Sequence, residues 1–300
     1  MDFLDVKTDY AFKKVFGSEE SKAILLSFLN AVLEFGQGRV IEDLTILDPY
    51  NIPVLKGMKD TFVDVKAKLS DDSKVIIEMQ VLNHDGFEKR ILYNTAKNYS
   101  EQLHKGNDYH LLNPVIALTI VNFEMFEFEK YKSSFKLLEK EHFTSYKDDI
   151  ELVFIELPKF KKELKDCHNI EDKWLYFIKN SENLSLVPKN IDKNIQEAYD
   201  IANTANYTID ELELQRKRKE FIYIQRKSIE KAKRDGHKQG HEQGWEEGNE
   251  KGREEGREEG KRDNTLEIVL KSFAQRLDIQ TIAMITGLSV DELERLQSKV

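Results

Sequence analysis

Asp64, Glu78 and Gln80 are the residues of this chain whose types and spacing suggest chemistry. Asp64 and Glu78 lie in two neighbouring strand-like segments, and the predicted pairing of these segments sets the two side chains opposite each other, with Cβ atoms roughly 5 Å apart. Two carboxylates at that distance repel each other, and a divalent cation between them removes the repulsion. Mg²⁺ is commonly held by one or two carboxylates together with substrate phosphates. The pattern therefore predicts a metal site, and the alternative is an exposed polar face whose carboxylates turn into water.

An antiparallel hairpin is predicted to position these residues, because apolar and polar residues alternate in both segments. Residues 61–69 read TFVDVKAKL and residues 74–80 read KVIIEMQ, with the turn-forming SDDS between them. The register that buries both apolar faces together pairs Lys68 with Lys74. One face then carries Val63, Val65, Ala67, Leu69, Val75, Ile77 and Met79. The other face carries Phe62, Asp64, Lys66, Lys68, Ile76, Glu78 and Gln80.

A helix and a buried strand are predicted to follow the hairpin. The helix covers residues 86–106, and Arg90, Asn94 and Lys97 recur in it at a spacing of three or four residues, so they share one face. Residues 109–123 contain the apolar run LNPVIALTIV, which is typical of a strand buried on both sides. The helix can therefore bring Arg90 or Lys97 near the two carboxylates.

Two helices are predicted before the hairpin. TDYAFKKVFG (8–17) reads as a short helix that ends at its glycine. Ser18 is a suitable N-cap for the second helix, with Glu19 favourably placed in its first turn. This second helix is predicted to end at GQGR (36–39).

The middle of the chain is predicted to complete the fold around the hairpin. A strand within residues 148–160 is expected to add to the sheet edge, and helices over 168–180 and 190–205 are expected to pack on the core. Cys167 is the single cysteine, which excludes an intramolecular disulfide and a cysteine-built zinc site.

Composition limits the classes of function. The chain has 300 residues and a formal net charge of −9, so it lacks the basic balance that gives general nucleic-acid affinity. A nucleic-acid partner would need a local positive patch or bound metal ions. The N-terminal residues do not form a signal peptide and no run is long enough to cross a bilayer, so a cytoplasmic protein without a membrane partner is expected.

Five stretches of the sequence resemble the Rpn group, the recombination-promoting nucleases that are also described as transposases. They are TDYAFKKVFG, FLNAVL, VDVKAKLSDDSKVIIEMQ, KRILYNTAKNYSEQLHKGNDY and NPVIALTIVNF, and they lie within residues 5–125. The group belongs to the PD-(D/E)XK superfamily. The resemblance implies an α/β, restriction-endonuclease-like core, with a mixed four-stranded sheet flanked by helices. It also implies metal-dependent cleavage of DNA.

The resemblance also implies roles for individual residues. Asp64 and Glu78 match the two metal-binding acids, and the backbone carbonyl of Met79 between them is expected to be a third ligand for Mg²⁺ or Mn²⁺. Gln80 matches the third signature position, where the superfamily more often has lysine, and it is expected to orient the attacking water. Because Gln80 carries no charge, a cation from another position must replace the lysine.

Two cations are candidates for that replacement, and two further acids are candidates for the site. Lys66 lies two residues after Asp64 on the same strand face, and Arg90 can contact phosphate through two hydrogen bonds. Arg90 and Lys97 are the expected DNA contacts. In the superfamily an acid on the first helix sometimes completes the site, so Asp9 and Glu19 are candidates, although Asp9 reads equally well as a helix-start residue that supports the helix dipole.

A charged segment over residues 206–263 carries glycine at every fourth position from 236 to 260. On a helix these glycines form a slowly drifting stripe. Each would destabilise an isolated helix by about 1 kcal/mol relative to alanine, so close packing of a second helix is expected to compensate. The prediction is a helical extension that self-associates, and the alternative is a flexible linker.

The last segment, residues 264–300, reads as a small helical tail with Ser289 and Glu292 as a capping box. It resembles a helix-turn-helix, but acidic residues on its last helix would meet phosphates badly, so we interpret it as a packing or oligomerisation tail. With residues 1–205 as the nuclease domain, the chain is divided into three parts. Two functional classes remain: a DNA endonuclease, or an inactive nuclease fold that serves as an interaction or regulatory module.

Overall fold

The computed structural model describes residues 2–35, 39–51 and 61–297. It divides the chain into two compact units, residues 1–226 and 227–300. The second predicted helix ends at Val32, before the GQGR segment. The helix therefore ends earlier than predicted, and residues 36–38 of that segment lie outside the described residues.

The first unit is built on a six-stranded mixed sheet. Its strands are paired in the order β1-β4-β5-β6-β8-β7, and β2 and β3 form a separate two-stranded ribbon. The β5–β6 and β6–β8 pairs are parallel, and the other pairs are antiparallel. The strands are β1 (Leu44–Leu47), β2 (Tyr50–Asn51), β3 (Thr61–Phe62), β4 (Val65–Leu69), β5 (Lys74–Gln80), β6 (Val115–Val121), β7 (Lys132–Lys136) and β8 (Ile150–Glu156).

Eight α-helices accompany these strands in the described residues. They are α1 (Asp9–Phe16), α2 (Lys22–Val32), α3 (Phe87–Ser100), α4 (Ile170–Asn180), α5 (Lys193–Ala202), α6 (Ile209–Ala274), α7 (Ile279–Thr286) and α8 (Val290–Gln297). The prediction of an α/β core flanked by helices is confirmed.

The expectation of a four-stranded sheet is wrong, because an extra strand covers each edge. β1 pairs with β4 at one edge, and β7 pairs with β8 at the other. β8 was expected at an edge, yet it lies between β6 and β7. The segment KSSFK that forms β7 is half-buried to exposed, so it lacks the apolar alternation by which a strand is recognised in a sequence.

The predicted hairpin register is confirmed. Lys68 pairs with Lys74, and the β4–β5 ladder continues to the pair Val65 and Ile77. The ladder ends there, so Asp64 lies one residue outside the paired strand. The prediction that Val63 shares a face with Val65 is wrong: Val63 packs in a different cluster. A bend at Asp64 interrupts the period-2 alternation and turns Val63 to the other side of the sheet.

Two apolar clusters cover the two faces of the sheet. The larger joins residues of β4, β5, β6 and β8 to α1, α2, α4 and α5. The smaller joins β5 and β6 to α3 through Phe87 and Ile91. All seven residues of β6 are buried, which confirms the expectation for this strand. The sheet is thus enclosed by helices on both faces, and the open end of the β4–β5 hairpin is where polar side chains collect.

The second unit contains the later turns of α6 together with α7 and α8. Val269, Ile282 and Leu293 form its small core. The predicted capping box is confirmed: the Glu292 carboxylate accepts the Ser289 N–H at 3.0 Å, and the Ser289 hydroxyl accepts the Glu292 N–H at 3.3 Å. All seven glycines of the stripe lie within α6. Among the described helices, none combines the length and the apolar character that spanning a lipid bilayer requires.

Candidate active site

The candidate site forms where β4 and β5 separate. The Asp64 N–H donates to the Ile77 carbonyl at 3.0 Å, and this is the last backbone hydrogen bond between the two strands. The Asp64 carboxylate then accepts the Met79 N–H at 2.7 Å through Oδ2. The side chain of Asp64 thus replaces the backbone acceptor that a longer strand would have provided. This contact brings the carboxylate to the edge of β5 beside Glu78 and Gln80.

The second wall of the site comes from α1, which packs on the core through Ala11, Phe12 and Val15. Its polar side carries Asp9 and Lys13, one helical turn apart. Lys13 Nζ lies 2.9 Å from Asp9 Oδ1 and 3.4 Å from Asp64 Oδ1. A lysine from the first helix therefore bridges two carboxylates that are 55 residues apart in the sequence.

Burial and proximity make Asp9 and Asp64 a coupled pair of acids. Burial, followed by hydrogen bonding to Asp9, raises the pKa of Asp64 to about 7. Burial also acts to raise the pKa of Asp9, but hydrogen bonds to Asp64 and Lys13 outweigh it, so the pKa of Asp9 is lowered. Near neutral pH, Asp64 therefore holds a proton in its hydrogen bond to Asp9 when no metal ion lies between the two carboxyl groups.

Glu78 and Gln80 face a single guanidinium from α3. Arg90 Nη2 lies 3.7 Å from Glu78 Oε1 and donates to Gln80 Oε1 at 3.0 Å. The Gln80 amide nitrogen donates to the Leu82 carbonyl at 2.9 Å, which orients the amide. Burial raises the pKa of Glu78, and the charges of Arg90 and His84 partly oppose this effect.

The described residues enclose these groups in a cleft of about 410 Å³. Besides the acids, its lining includes four cationic residues, Lys7, Lys13, Arg90 and Arg218. The early turns of α6 contribute Arg218, Phe221 and Ile222, and the β3 strand contributes Phe62. The cleft therefore combines an acidic floor, basic walls and apolar side chains.

The donor atoms of this cleft fit a divalent cation such as Mg²⁺ or Mn²⁺. In a strand the N–H and C=O of one residue point to the same side. The Met79 N–H points to Asp64, so its carbonyl also points toward the gap that β4 leaves. Asp64 and Glu78 add carboxylate oxygens, and oxygen is the ligand type that Mg²⁺ prefers.

The acids do not form a closed cage. In the described part of the chain, Asp9, Asp64 and Glu78 do not have ligand atoms that all lie within 4.8 Å of one another. Water and substrate oxygens would therefore complete the coordination, which is usual for Mg²⁺ because it gives up its waters reluctantly.

Three predicted site residues do not line this cleft. Lys66 is half-buried farther along β4, where Lys74 and Glu101 are among the charges that act on it, and burial is the main cause that lowers its pKa. Lys97 is buried three helical residues before the end of α3, and its amine lies 3.7 Å from Glu101. Glu19 is exposed. The α3 face that carries Arg90 therefore reaches the acids at only one end.

A second acidic group, Glu139, Glu141 and His142, has ligand atoms within 4.8 Å of one another. All three residues are exposed in the turn after β7. The Glu139 carboxylate accepts the N–H groups of Glu141 and His142 and approaches the His142 ring at 3.0 Å. These bonds account for the cluster as turn structure, and exposed acidic groups of this kind are common without a metal.

Sequence reasoning missed several residues of the cleft. Lys13 follows Asp9 by one helical turn, so this spacing was a usable signal. Arg218 and Phe221 are also three residues apart on one helix, but they lie more than 120 residues after Arg90. Helical periodicity indicates which residues share a face and does not indicate which distant segment that face will meet.

A family model described as "PD-(D/E)XK nuclease family transposase" matches residues 6–232. The matched range includes the sheet, α1 to α5 and the turns of α6 that line the cleft. No curated protein matches the sequence, and no solved structure matches it either.

Proposed function

Because the chain belongs to the PD-(D/E)XK nuclease family transposases, we propose that it is a Mg²⁺- or Mn²⁺-dependent DNA endonuclease acting in recombination, mobile-element movement or defence. The observation that carries the proposal is the meeting of Asp64, Glu78 and Gln80 in one cleft with cationic walls. Incompletely compensated buried acids beside cations are typical of catalytic sites.

Different residues of the cleft have different roles in the proposed hydrolysis. Asp64, Glu78 and the Met79 carbonyl would hold the divalent ion, which when bound makes water nucleophilic and neutralises phosphate charge. Gln80 is held by Arg90 and Leu82, and its amide keeps one oxygen lone pair and one N–H free to orient the attacking water. Arg90 lies beside both and can donate to a phosphate oxygen.

Lys13 is the best candidate for the cation that replaces the signature lysine. Its amine lies 3.4 Å from the Asp64 carboxylate, in the same cleft as Glu78. Of the two sequence-based candidates, Arg90 lines the cleft, whereas Lys66 is not among the described residues that line it. An ammonium group at the position of Lys13 would stabilise charge that develops on the phosphate in the transition state.

Cleavage of supercoiled plasmid with Mg²⁺ or Mn²⁺ tests the proposal. We expect Asp64→Asn and Glu78→Gln each to reduce nicking by at least about 100-fold. Glu139→Gln is the matched control, because it removes an acid from the exposed turn cluster, and it should cleave like the wild type. Equal cleavage by all three variants, or loss only with Glu139→Gln, would contradict the assignment.

The second functional class is a nuclease fold that has lost catalysis and acts through partners. The observation in its favour is that Arg90 contacts both Glu78 and Gln80 and so occupies part of the catalytic surface. This alternative predicts that wild-type protein fails to nick the plasmid with either ion. The same assay therefore separates the two classes.

We also propose that the chain self-associates along the glycine stripe of α6 and through the C-terminal tail. A Cβ atom built at any of these seven glycines would meet no described atom within 4 Å, so the stripe is open to a second copy. Replacing Gly240, Gly244, Gly248 and Gly252 by alanine in the full chain raises intrinsic helix propensity. The added methyl groups fill the groove and keep a second helix farther away, so light scattering should detect a smaller species. An unchanged oligomer would refute the proposal.

A further inference from the structure

Two phenylalanine rings stand exposed at the edge of the acidic cleft. Phe62 is 63 % exposed and Phe221 is 55 % exposed, and both belong to the cleft lining. Phenylalanine has no hydrogen-bonding group, so neither ring can coordinate a metal ion or hydrogen-bond to a phosphate oxygen. Their position beside charged groups therefore indicates a ligand that has both an apolar face and an anionic group.

The Phe62 ring is held in place before any ligand arrives. It stacks on Tyr50 across the β2–β3 ribbon, with ring centroids 4.6 Å apart and an interplanar angle of 24°. This contact covers one face of the ring and limits its rotation. Phe221 has no ring contact with another described aromatic residue, so its faces are open. A preorganised ring loses little conformational freedom when a second flat group stacks on it.

A cation without a carboxylate partner lies near the rings on the same helix as Phe221. Lys217 pairs with Glu213 at 3.0 Å, and Lys219 pairs with Glu182 at 2.7 Å. Arg218 lies between these lysines in the sequence, lines the cleft, and has no carboxylate within 4.0 Å in the described part of the chain. Its charge acts on Asp9 in the same cleft, but the two groups form no direct ion pair. In a chain of net charge −9, a cleft guanidinium without a direct ion pair is a candidate phosphate contact.

We infer that the cleft accepts an unpaired DNA strand, with bases stacking on Phe62 and Phe221 and a phosphate bound by Arg218. This inference rests on the proposed nuclease function and names its substrate class. In a duplex the bases are paired and stacked within the helix, so an aromatic side chain has no base face to contact. An unpaired strand offers both a base face and a phosphate, and aromatic rings beside a positive groove are how proteins bind single strands without reading sequence.

Binding by a full-length variant that cannot cleave tests this inference. The Glu78→Gln protein is titrated with a fluorescent single-stranded DNA, with a duplex of the same sequence and with a single-stranded RNA, at one fixed salt concentration. We expect the unpaired DNA to bind at least about tenfold more tightly than the duplex. Adding Phe62→Ala or Phe221→Ala should weaken single-strand binding by about tenfold each, while duplex binding changes less than about twofold.

Phe143→Ala in the same background is the matched control, because Phe143 is 72 % exposed and lies outside the cleft lining. It should bind all three nucleic acids like its parent. Thermal unfolding of each variant checks that the fold is intact, and exposed positions are expected to tolerate the change. Duplex binding as tight as single-strand binding would overturn the inference. The inference would also be overturned if Phe62→Ala and Phe221→Ala bound like Phe143→Ala, or if RNA bound as tightly as DNA.

The unpaired-strand inference and the nuclease proposal can be refuted independently. Wild-type protein that nicks plasmid, together with a Glu78→Gln variant that shows no strand preference, rejects the unpaired-strand inference and keeps the nuclease. If Phe62→Ala and Phe221→Ala lose single-strand binding but the wild type does not nick plasmid, the binding surface is supported and the nuclease proposal is rejected.

Discussion

Asp64 and Glu156 are both carboxylates beside central strands of the sheet, but their surroundings differ. Glu156, at the end of β8, is fully buried and accepts two backbone N–H groups from the segment after β6. Its other oxygen lies 2.9 Å from the buried amine of Lys159. Every part of this carboxylate has a partner, so it binds the neighbouring loop to the sheet.

The carboxylates of the cleft are compensated less well. Asp64 accepts one backbone N–H, lies next to the acid Asp9, and has its nearest cation, Lys13, at 3.4 Å. Glu78 has Arg90 at 3.7 Å. A buried charge with incomplete pairing destabilises the fold unless a ligand completes it. Burial alone therefore does not distinguish a structural carboxylate from a functional one. Whether the carboxylate has all of its hydrogen-bond partners does distinguish them.

Removing the cation from the structural acid should give the largest effect on stability. Lys159→Met leaves Glu156 buried without its ion pair and deletes two hydrogen bonds from the amine to the carbonyls of Phe126 and Phe128. We expect the free energy of unfolding to fall by about 3–5 kcal/mol, as measured by urea denaturation. The remaining folded protein should keep its nicking activity. A stable Lys159→Met protein that has lost activity would reverse the comparison.

Removing the cation from the cleft should instead change activity. Lys13→Met takes away the ammonium beside Asp64, and we expect nicking to fall by about 100-fold, or close to 3 kcal/mol in the barrier. Stability should change by less than about 1 kcal/mol, because the pair of Asp9 and Asp64 can retain its proton. Lys13→Arg should restore part of the activity. Full activity in Lys13→Met would exclude the proposed role of this residue.

Neutralising Asp64 should stabilise the metal-free protein. Its folded pKa of about 7 lies above the unfolded value of 3.8, so the folded state holds this proton more tightly. The stability that this proton contributes is present below pH 4 and is lost as the pH rises to about 7. Asp64→Asn should therefore add about 1–2 kcal/mol at pH 8 and less at pH 5, measured in EDTA.

Mg²⁺ should stabilise the wild type and Asp64→Asn to different extents. It should raise the melting temperature of the wild type and leave Asp64→Asn unchanged, because only the wild type keeps the ligand. Glu141→Gln is the control, since it neutralises an exposed acid of the turn cluster. Equal stabilisation of wild type and Asp64→Asn by Mg²⁺ would mean that the ion binds elsewhere.

Local pattern was sufficient to predict the central hairpin and the polar residues at its end. Alternation over seven to nine residues carries enough information to set a register, because a shift by one residue would turn every apolar side chain into water. Lys68 therefore pairs with Lys74 as expected. The same pattern failed at Val63, where Asp64 bonds to Met79 and the chain bends away from β5.

Sequence pattern alone was enough to predict the four central strands, the hairpin register and the candidates Asp64, Glu78 and Gln80, because these depend on residues that lie close together in the sequence. The tertiary structure alone decided which cations meet those acids. Lys13 and Arg218 reach the cleft through the packing of α1 and α6, while Lys66 lies farther along its strand. Contacts between distant segments depend on how whole elements pack, and residue spacing within one element does not encode that arrangement.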